Sequence, residues 1–191
     1  IVQIVQQTHG WPSAVGIIAN GEDNKFDLEV DDTLVKNLVS SKFDKLAKET
    51  REILTAMSSF EVFDIDLASS ILQKPVSESN LNKLAAEGVF LIMAAGQKSV
   101  YIFNNSAREV INEIARADNK NFQKNQITAS ELFQQKGQLN LAIEHALKSG
   151  DSDYLRQMFK PTLRKLITRG EGRNILYWSD FLPLDSTRNK M

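Results

Sequence analysis

The sequence predicts a mainly α-helical fold with one small β-hairpin, on three observations. From Thr33 onward apolar residues recur at the three- and four-residue spacing of a buried helix face. That period breaks once, where Val89 to Met93 and Val100 to Phe103 form two short β-rich runs. Beyond the hairpin, Gly137, Gly150 and Gly170 punctuate the helical pattern at intervals of about half a helical-hairpin repeat.

The first thirty residues carry two short helical segments. Ile1, Ile4 and Val5 recur at helical spacing, and Gly10 supplies a stop. Trp11-Pro12-Ser13 restarts an apolar helix over Ala14 to Ala19, with Pro12 suited to a first turn, and Asn20-Gly21 ends it. Glu22 to Asp32 is acidic and irregular, a connector between modules. The chain opens on Ile1 as though inside a structural element, and a preceding segment is expected.

From Thr33 the stripe runs Leu34, Val35, Leu38, Phe43, Leu46, Ala47, Ile53, Leu54 and Met57. The opposite face offers Asp44/Lys48, Lys45/Glu49 and Lys48/Glu52, each four apart, the pairing of a solvated helix surface. A further helix over Ile65 to Leu72 must stop before Pro75. Ser77 then reads as an N-cap, with Val76 before it and Leu81 at the fourth helical position, a hydrophobic staple. Leu81, Leu84 and Ala85 form the buried face, and Gly88 ends the helix. The hairpin follows, with Gly96 near its tip. Helices and then a hairpin in this order describe a winged helix.

Asn105-Ser106 can cap the next helix, marked by Val110, Ile111 and Ile114. Helical hairpins follow, over Ala129 to Gln135, Leu139 to Lys148, Asp153 to Phe159 and Leu163 to Thr168. The segment from Gly137 to Ala142, with Ala146 one turn on, resembles the small-residue contact of paired-helix (TPR-like) repeats. Such units bury their apolar faces on their neighbours, so the array is expected to continue beyond Met191.

Composition excludes several classes. Hydrophobic residues at 42% and charged residues at 25% fit a folded chain rather than a disordered one. A net charge of -1 gives no overall attraction to nucleic acid or anionic lipid. With no cysteine, disulfides and thiolate metal sites are ruled out. No apolar run approaches the roughly 20 residues of a membrane span, and a cytoplasmic location is expected. The two histidines, His9 and His145, lie in different modules and form no zinc spacing; both read as ordinary helix-end residues. No glycine-rich turn leads into a Lys-Ser/Thr pair, so no phosphate loop is present. The chain is expected to be neither an enzyme nor a nucleotide or metal binder on its own.

Two surfaces remain as candidates. The winged helix invites a DNA-binding reading through Asn80, Asn82, Lys83 and Lys98. Between Phe60 and Asn104, however, five acids (Glu61, Asp64, Asp66, Glu78, Glu87) face three bases (Lys74, Lys83, Lys98). A phosphate-contacting module is normally positive, so packing against protein is favoured. The second surface is basic: Arg156, Lys160, Arg164, Lys165, Arg169 and Arg173, opposed only by Glu171. It reads either as a docking face for an acidic partner or as a solvated helix surface. Trp178, Phe181 and Leu182 form an exposed anchor or a helix-packing core.

These motifs together resemble the MalT-type regulators, ATP-dependent transcription factors of the STAND class, many with a LuxR-type DNA-binding end. His9-Gly10-Trp11-Pro12 is similar to their Glu-Gly-Trp-Pro/Ala segment, and Leu46 to Phe60 to the helix leading into their winged helix. Leu84-Ala-Ala-Glu-Gly-Val-Phe-Leu91 resembles their Leu-x-x-x-Asn-Leu-Phe-Leu entry into the hairpin. Ala129 to Gly137 and Ala142 to Asp151 resemble their first helical repeat, and Leu176-Tyr-Trp178 with Phe181-Leu-Pro183 its end. Where the family often has an aromatic-His-His run after the hairpin, this chain has Ile102-Phe-Asn-Asn-Ser106.

The resemblance implies a middle fragment: residues 1–30 the end of an ATPase helical lid and linker, 31–117 the winged helix, 118–191 the start of a TPR-like repeat domain. It implies a regulatory role coupling the nucleotide state of an upstream ATPase to effector sensing. ATP or ADP would be bound elsewhere in the parent, with no cofactor in this segment. Partners would be other domains of the parent, a protein effector or a second copy, with DNA reached through another domain and no membrane. The alternative is a winged helix that binds DNA directly through Asn80, Lys83 and Lys98, with a helical dimerisation tail.

Overall fold

The computed structural model describes residues 32–170, with side chains from Lys36 onward except that of Lys160. The helices expected before Asn20, most of the acidic connector, His9, Arg173 and the Trp178 cluster lie outside the described residues. The chain divides into two compact units with the boundary between Ala117 and Asp118.

The first unit begins with α1 (Asp32–Asp44) and α2 (Lys48–Met57). The stripe from Thr33 to Met57 is therefore two helices rather than one. Lys45 and Leu46 close the last turn of α1 with three-residue hydrogen bonds to Lys42 and Phe43, and Ala47 is the N-cap of α2. No glycine or proline marks this break, which is why the period alone runs through it. Asp44/Lys48 and Lys45/Glu49 consequently share no helix face. Glu52 lies on α2 with Lys48, but its carboxylate accepts a 2.6 Å hydrogen bond from Lys74.

After α2 comes β1 (Val62–Asp64), which no period-two run announces, then α3 (Ile65–Leu72) and α4 (Glu78–Glu87). Asp64 ends the strand and caps α3, its carboxylate accepting from the Leu67 N–H at 2.7 Å. α3 stops at Gln73, two residues before Pro75, in the left-handed conformation. Ser77 holds the N-cap position of α4 without a side-chain capping bond. The staple around it is present, since Val76 and Leu81 are both buried. Gly88 ends α4 at φ +64, a conformation that costs an L side chain strain.

β2 (Leu91–Met93) and β3 (Val100–Phe103) complete a three-stranded antiparallel sheet in the order β1-β3-β2. Its register sets Phe63 opposite Tyr101 and Leu91 opposite Phe103. Phe63, Leu91, Tyr101 and Phe103 thus share the inner face, and all are buried. The Phe63 ring lies 5.7 Å from Tyr101 and 5.6 Å from Phe103, centroid to centroid. The outer face carries Val62, Ile102 and Ile92 in one row across the strands.

α5 (Asn105–Ala117) closes the unit against α1 and α2. Its cap is Asn104, whose side chain accepts from the Ala107 N–H, and not Asn105 or Ser106. Asn112 donates to the Ser58 hydroxyl at the end of α2. Ile53, Leu54, Met57, Ile71, Leu81, Phe90 and Ile111 are fully enclosed, each contributing about 1.5–3 kcal/mol by removal from water.

The second unit holds α6 (Asn119–Gln135), α7 (Leu139–Ser149) and α8 (Ser152–Thr168). α6 starts ten residues before the expected Ala129. Its first half is polar, but Asp118 caps it, and Phe122, Gln126, Ala129, Ser130 and Phe133 make one buried stripe. Gln126 in that stripe is what hid it from an apolar-only pattern. The expected pair of helices over 153–168 is a single helix, continuous through Pro161. Leu155, Met158, Phe159 and Leu166 from both sides of the proline share one core with Leu139, Ile143 and Ala146 of α7. That common core outweighs the one hydrogen bond a helix-interior proline removes.

Candidate interaction surfaces

In the winged-helix unit, α4 occupies the position from which a DNA-reading helix would work. Its outward residues are Glu78, Ser79, Lys83, Ala86 and Glu87, two acids against one base. Asn80 is half-buried, Lys83 is exposed, and Lys98 is exposed in the turn between β2 and β3. Asn82 is half-buried, and its side-chain oxygen accepts the Tyr101 hydroxyl at 2.8 Å.

The turn is fastened to the same helix. Ser99, at φ +63, donates its hydroxyl to the Glu78 carboxylate. The turn that carries Lys98 is thus tied to an acid in the first turn of α4. Burial, and then the Glu78 carboxylate, push the Tyr101 phenol above its ordinary pKa, so it remains a protonated donor. Of the three bases in this stretch, Lys74 is paired with Glu52. A surface of this charge attracts phosphate poorly.

Of the basic stretch of the second unit, the structure describes the side chains of Arg156, Arg164, Lys165 and Arg169. Arg156 and Arg164 are exposed, eight residues apart on the α8 stripe turned away from Leu155, Phe159 and Leu166. Arg156 also lies 3.8 Å from Asp153. Lys165 is exposed on a different flank of the helix. Arg169 follows α8 and donates to the Gly137 carbonyl at 3.0 Å. It lies over a surface cavity of about 250 Å³ lined also by Gln138, Leu139 and Asn140. Lys160 and Arg173 have side chains outside the description.

His145, read from sequence as a helix-end residue, is instead buried in the middle of α7. Its Nδ1 donates to Gln126 Oε1 at 2.8 Å, and its ring stacks on Phe133 at 5.3 Å. Burial lowers its pKa to about 4, with Lys148 adding to the shift and Glu144 opposing it. Next to it the Ser130 hydroxyl donates to the Ala142 carbonyl at 2.7 Å. This buried polar seam joins α6 to α7, and only the isolated histidine hinted at it in sequence. Among the described residues, no group of three or more His, Asp or Glu side chains is arranged to hold a metal ion. No described helix is long and apolar enough to cross a membrane.

Comparison with known proteins agrees with this architecture. Residues 40–122 match the family described as the MalT winged helix domain. The chain resembles MalT-type regulators, and the family match falls mostly on the winged-helix unit. It is 26% identical over 174 residues to the HTH-type transcriptional regulator MalT of Vibrio campbellii. It is 27% identical over 176 residues to the protein of the same description from Vibrio parahaemolyticus. Each match covers 85% of this chain and 19% of the relative, so the chain spans about a fifth of the length of these regulators.

Proposed function

We propose that the chain is a non-catalytic regulatory segment of a MalT-like transcriptional regulator. In it the winged helix works by packing against other domains rather than by reading DNA. The observation that carries this reading is the engagement of α4. Asn82 is held by Tyr101, Glu78 by Ser99, and the outward face as a whole carries two acids, Glu78 and Glu87, against one base, Lys83. A helix that reads bases needs free polar side chains and phosphate-contacting cations flanking them.

On this reading residues 1–30 end an ATPase lid, 31–117 are the winged helix and 118–191 open a TPR-like sensor domain. The segment relays the nucleotide state of the ATPase to the sensor. ATP or ADP binds upstream, an effector meets the helical repeats, and the protein works in the cytoplasm. Among the described side chains, Arg156, Arg164 and Lys165 are those offered to a partner domain, with Arg169 engaged at Gly137.

Titration of the chain with ATP tests the module assignment: no tight binding is expected, and micromolar affinity overturns it. DNA titration at two salt concentrations tests the rival reading. Salt-dependent binding that is lost on Asn80→Ala, Lys83→Ala or Lys98→Ala would establish a direct DNA module instead.

A further inference from the structure

The three-stranded sheet of the winged-helix unit is apolar on both faces, and its outer face is open. The register turns Val62 and Asp64 of β1, Ile92 of β2, and Val100 and Ile102 of β3 away from the Phe63–Tyr101–Phe103 side. Ala94, whose N–H donates to the Val100 carbonyl at 2.9 Å, extends the same side past β2. Five of these six residues are apolar. Val62 is 47% exposed and Ile92 48%, with Ile102, Val100 and Ala94 half-buried beside them. The one ionised member, Asp64, has its carboxylate engaged in capping α3.

An antiparallel sheet with one solvated face ordinarily alternates apolar-in with polar-out. Strand propensity does not account for the departure, since threonine offers the same β-branch with a hydroxyl. Phe60 and Phe90, two residues before Val62 and Ile92, are buried, so the core of the unit stops at this row. A contiguous apolar patch on the surface marks an interaction site.

Size and charge select the occupant. Five aliphatic side chains fall well short of the roughly 800 Å² per partner that a stable complex buries. They suffice for a tethered partner, because a shared polypeptide supplies an effective concentration of about millimolar. The chain matches only 19% of the length of its relatives, so on the reading above most of the polypeptide lies outside it. The exposed charges along β1 and the start of α3 are Glu61, Asp64 and Asp66, all acidic. That rim repels phosphate and anionic lipid and favours a basic flank on the partner.

We propose that the outer sheet face, centred on Val62, Ile102 and Ile92, is the surface by which the winged helix docks. Its occupant is an apolar stripe flanked by lysine or arginine on another domain of the same polypeptide. This inference rests on the packing role proposed above and names the face and the partner chemistry of that role.

Carbene footprinting of the full-length regulator and of the 191-residue chain tests it. The segments carrying Val62 and Ile92 are expected to label several-fold less in the full-length protein. Equal labelling of these segments overturns the face. If the outward residues Lys83 and Ala86 of α4 are protected instead, the packing role stands and only this face is wrong. If no winged-helix segment is protected, the packing role fails with it. Protection that appears in the chain alone as its concentration and sedimenting mass rise overturns the tethered occupant in favour of a second copy.

Two double variants test the chemistry of the contact. Val62→Thr with Ile92→Thr keeps the β-branches and is expected to leave the unfolding midpoint of the chain unchanged. In the full-length protein it is expected to raise labelling around Ile102 several-fold, and labelling that stays low overturns the apolar contact. Glu61→Gln with Asp66→Asn is expected to raise the same labelling at low salt. Unchanged labelling there overturns the basic flank.

Discussion

The Tyr101 hydroxyl donates to the Asn82 side-chain oxygen at 2.8 Å, tying the central strand of the sheet to the middle of α4. Tyr101 is fully buried and Asn82 half-buried, so the two ends of this bond are unequal in what they lose when it is cut. Asn82→Ala strands a buried hydroxyl and is expected to cost about 1–3 kcal/mol. Tyr101→Phe leaves only a carbonyl oxygen that water can reach and should cost about 1 kcal/mol. Urea unfolding of the two variants checks that order.

Gly88 gives a test of backbone strain alone. A methyl group added there meets no atom within 4 Å, yet the residue sits at φ +64. Gly88→Ala should therefore destabilise the winged-helix unit by about 1–2 kcal/mol, the cost of a left-handed L-residue. Gly88→Asn, which tolerates that region, should cost less. Thermal unfolding midpoints separate the two.

His145 makes the helical unit sensitive to acid. Its folded pKa is about 4 against an ordinary 6.5. As pH falls below 6.5 the unfolded chain takes up a proton that the folded chain refuses until about pH 4, so stability declines across that window and levels off beneath it. The full loss is about 3 kcal/mol. His145→Gln should flatten this decline. Denaturant midpoints of the second unit at pH 7, 5.5 and 4.5 measure it.

The aspartate caps of α6 and α8 differ in strength. Asp151 accepts from two backbone N–H groups, at 3.0 and 2.9 Å, while Asp118 accepts from one at 3.4 Å. Asp151→Ala should cost about 1 kcal/mol and Asp118→Ala less. Equal effects in calorimetry would contradict the shorter bonds at Asp151.

Much of this fold was legible in sequence where a strong local signal coincided with packing. Pro75 fixed the end of α3, and Val76, Leu81 and Gly88 bracketed α4. The hairpin showed in its change of period around Gly96. What stayed hidden had no local mark. β1 is three residues long and exists because β3 offers it an edge. The break at Lys45 to Ala47 contains neither glycine nor proline. α8 passes through Pro161 because its core contacts on both sides outweigh the proline. Of the candidate surfaces, the excess of acid over base at α4 could be read from the sequence alone. The capture of Asn82 by Tyr101, of Arg169 by Gly137 and of His145 by Gln126 depends on residues 19 to 32 positions apart, beyond any local pattern.

The strand order β1-β3-β2 leaves both three-residue strands at the margins of the sheet. Val62 and Ile92, about half exposed on its outer face, would on longer margins invite strands from other molecules. Here each margin can offer only a few free backbone groups before α3 or the Gly96 turn intervenes. The winged helix thereby carries an apolar outer row without becoming a template for fibrils, and its brevity is a safeguard against self-association in the crowded cell.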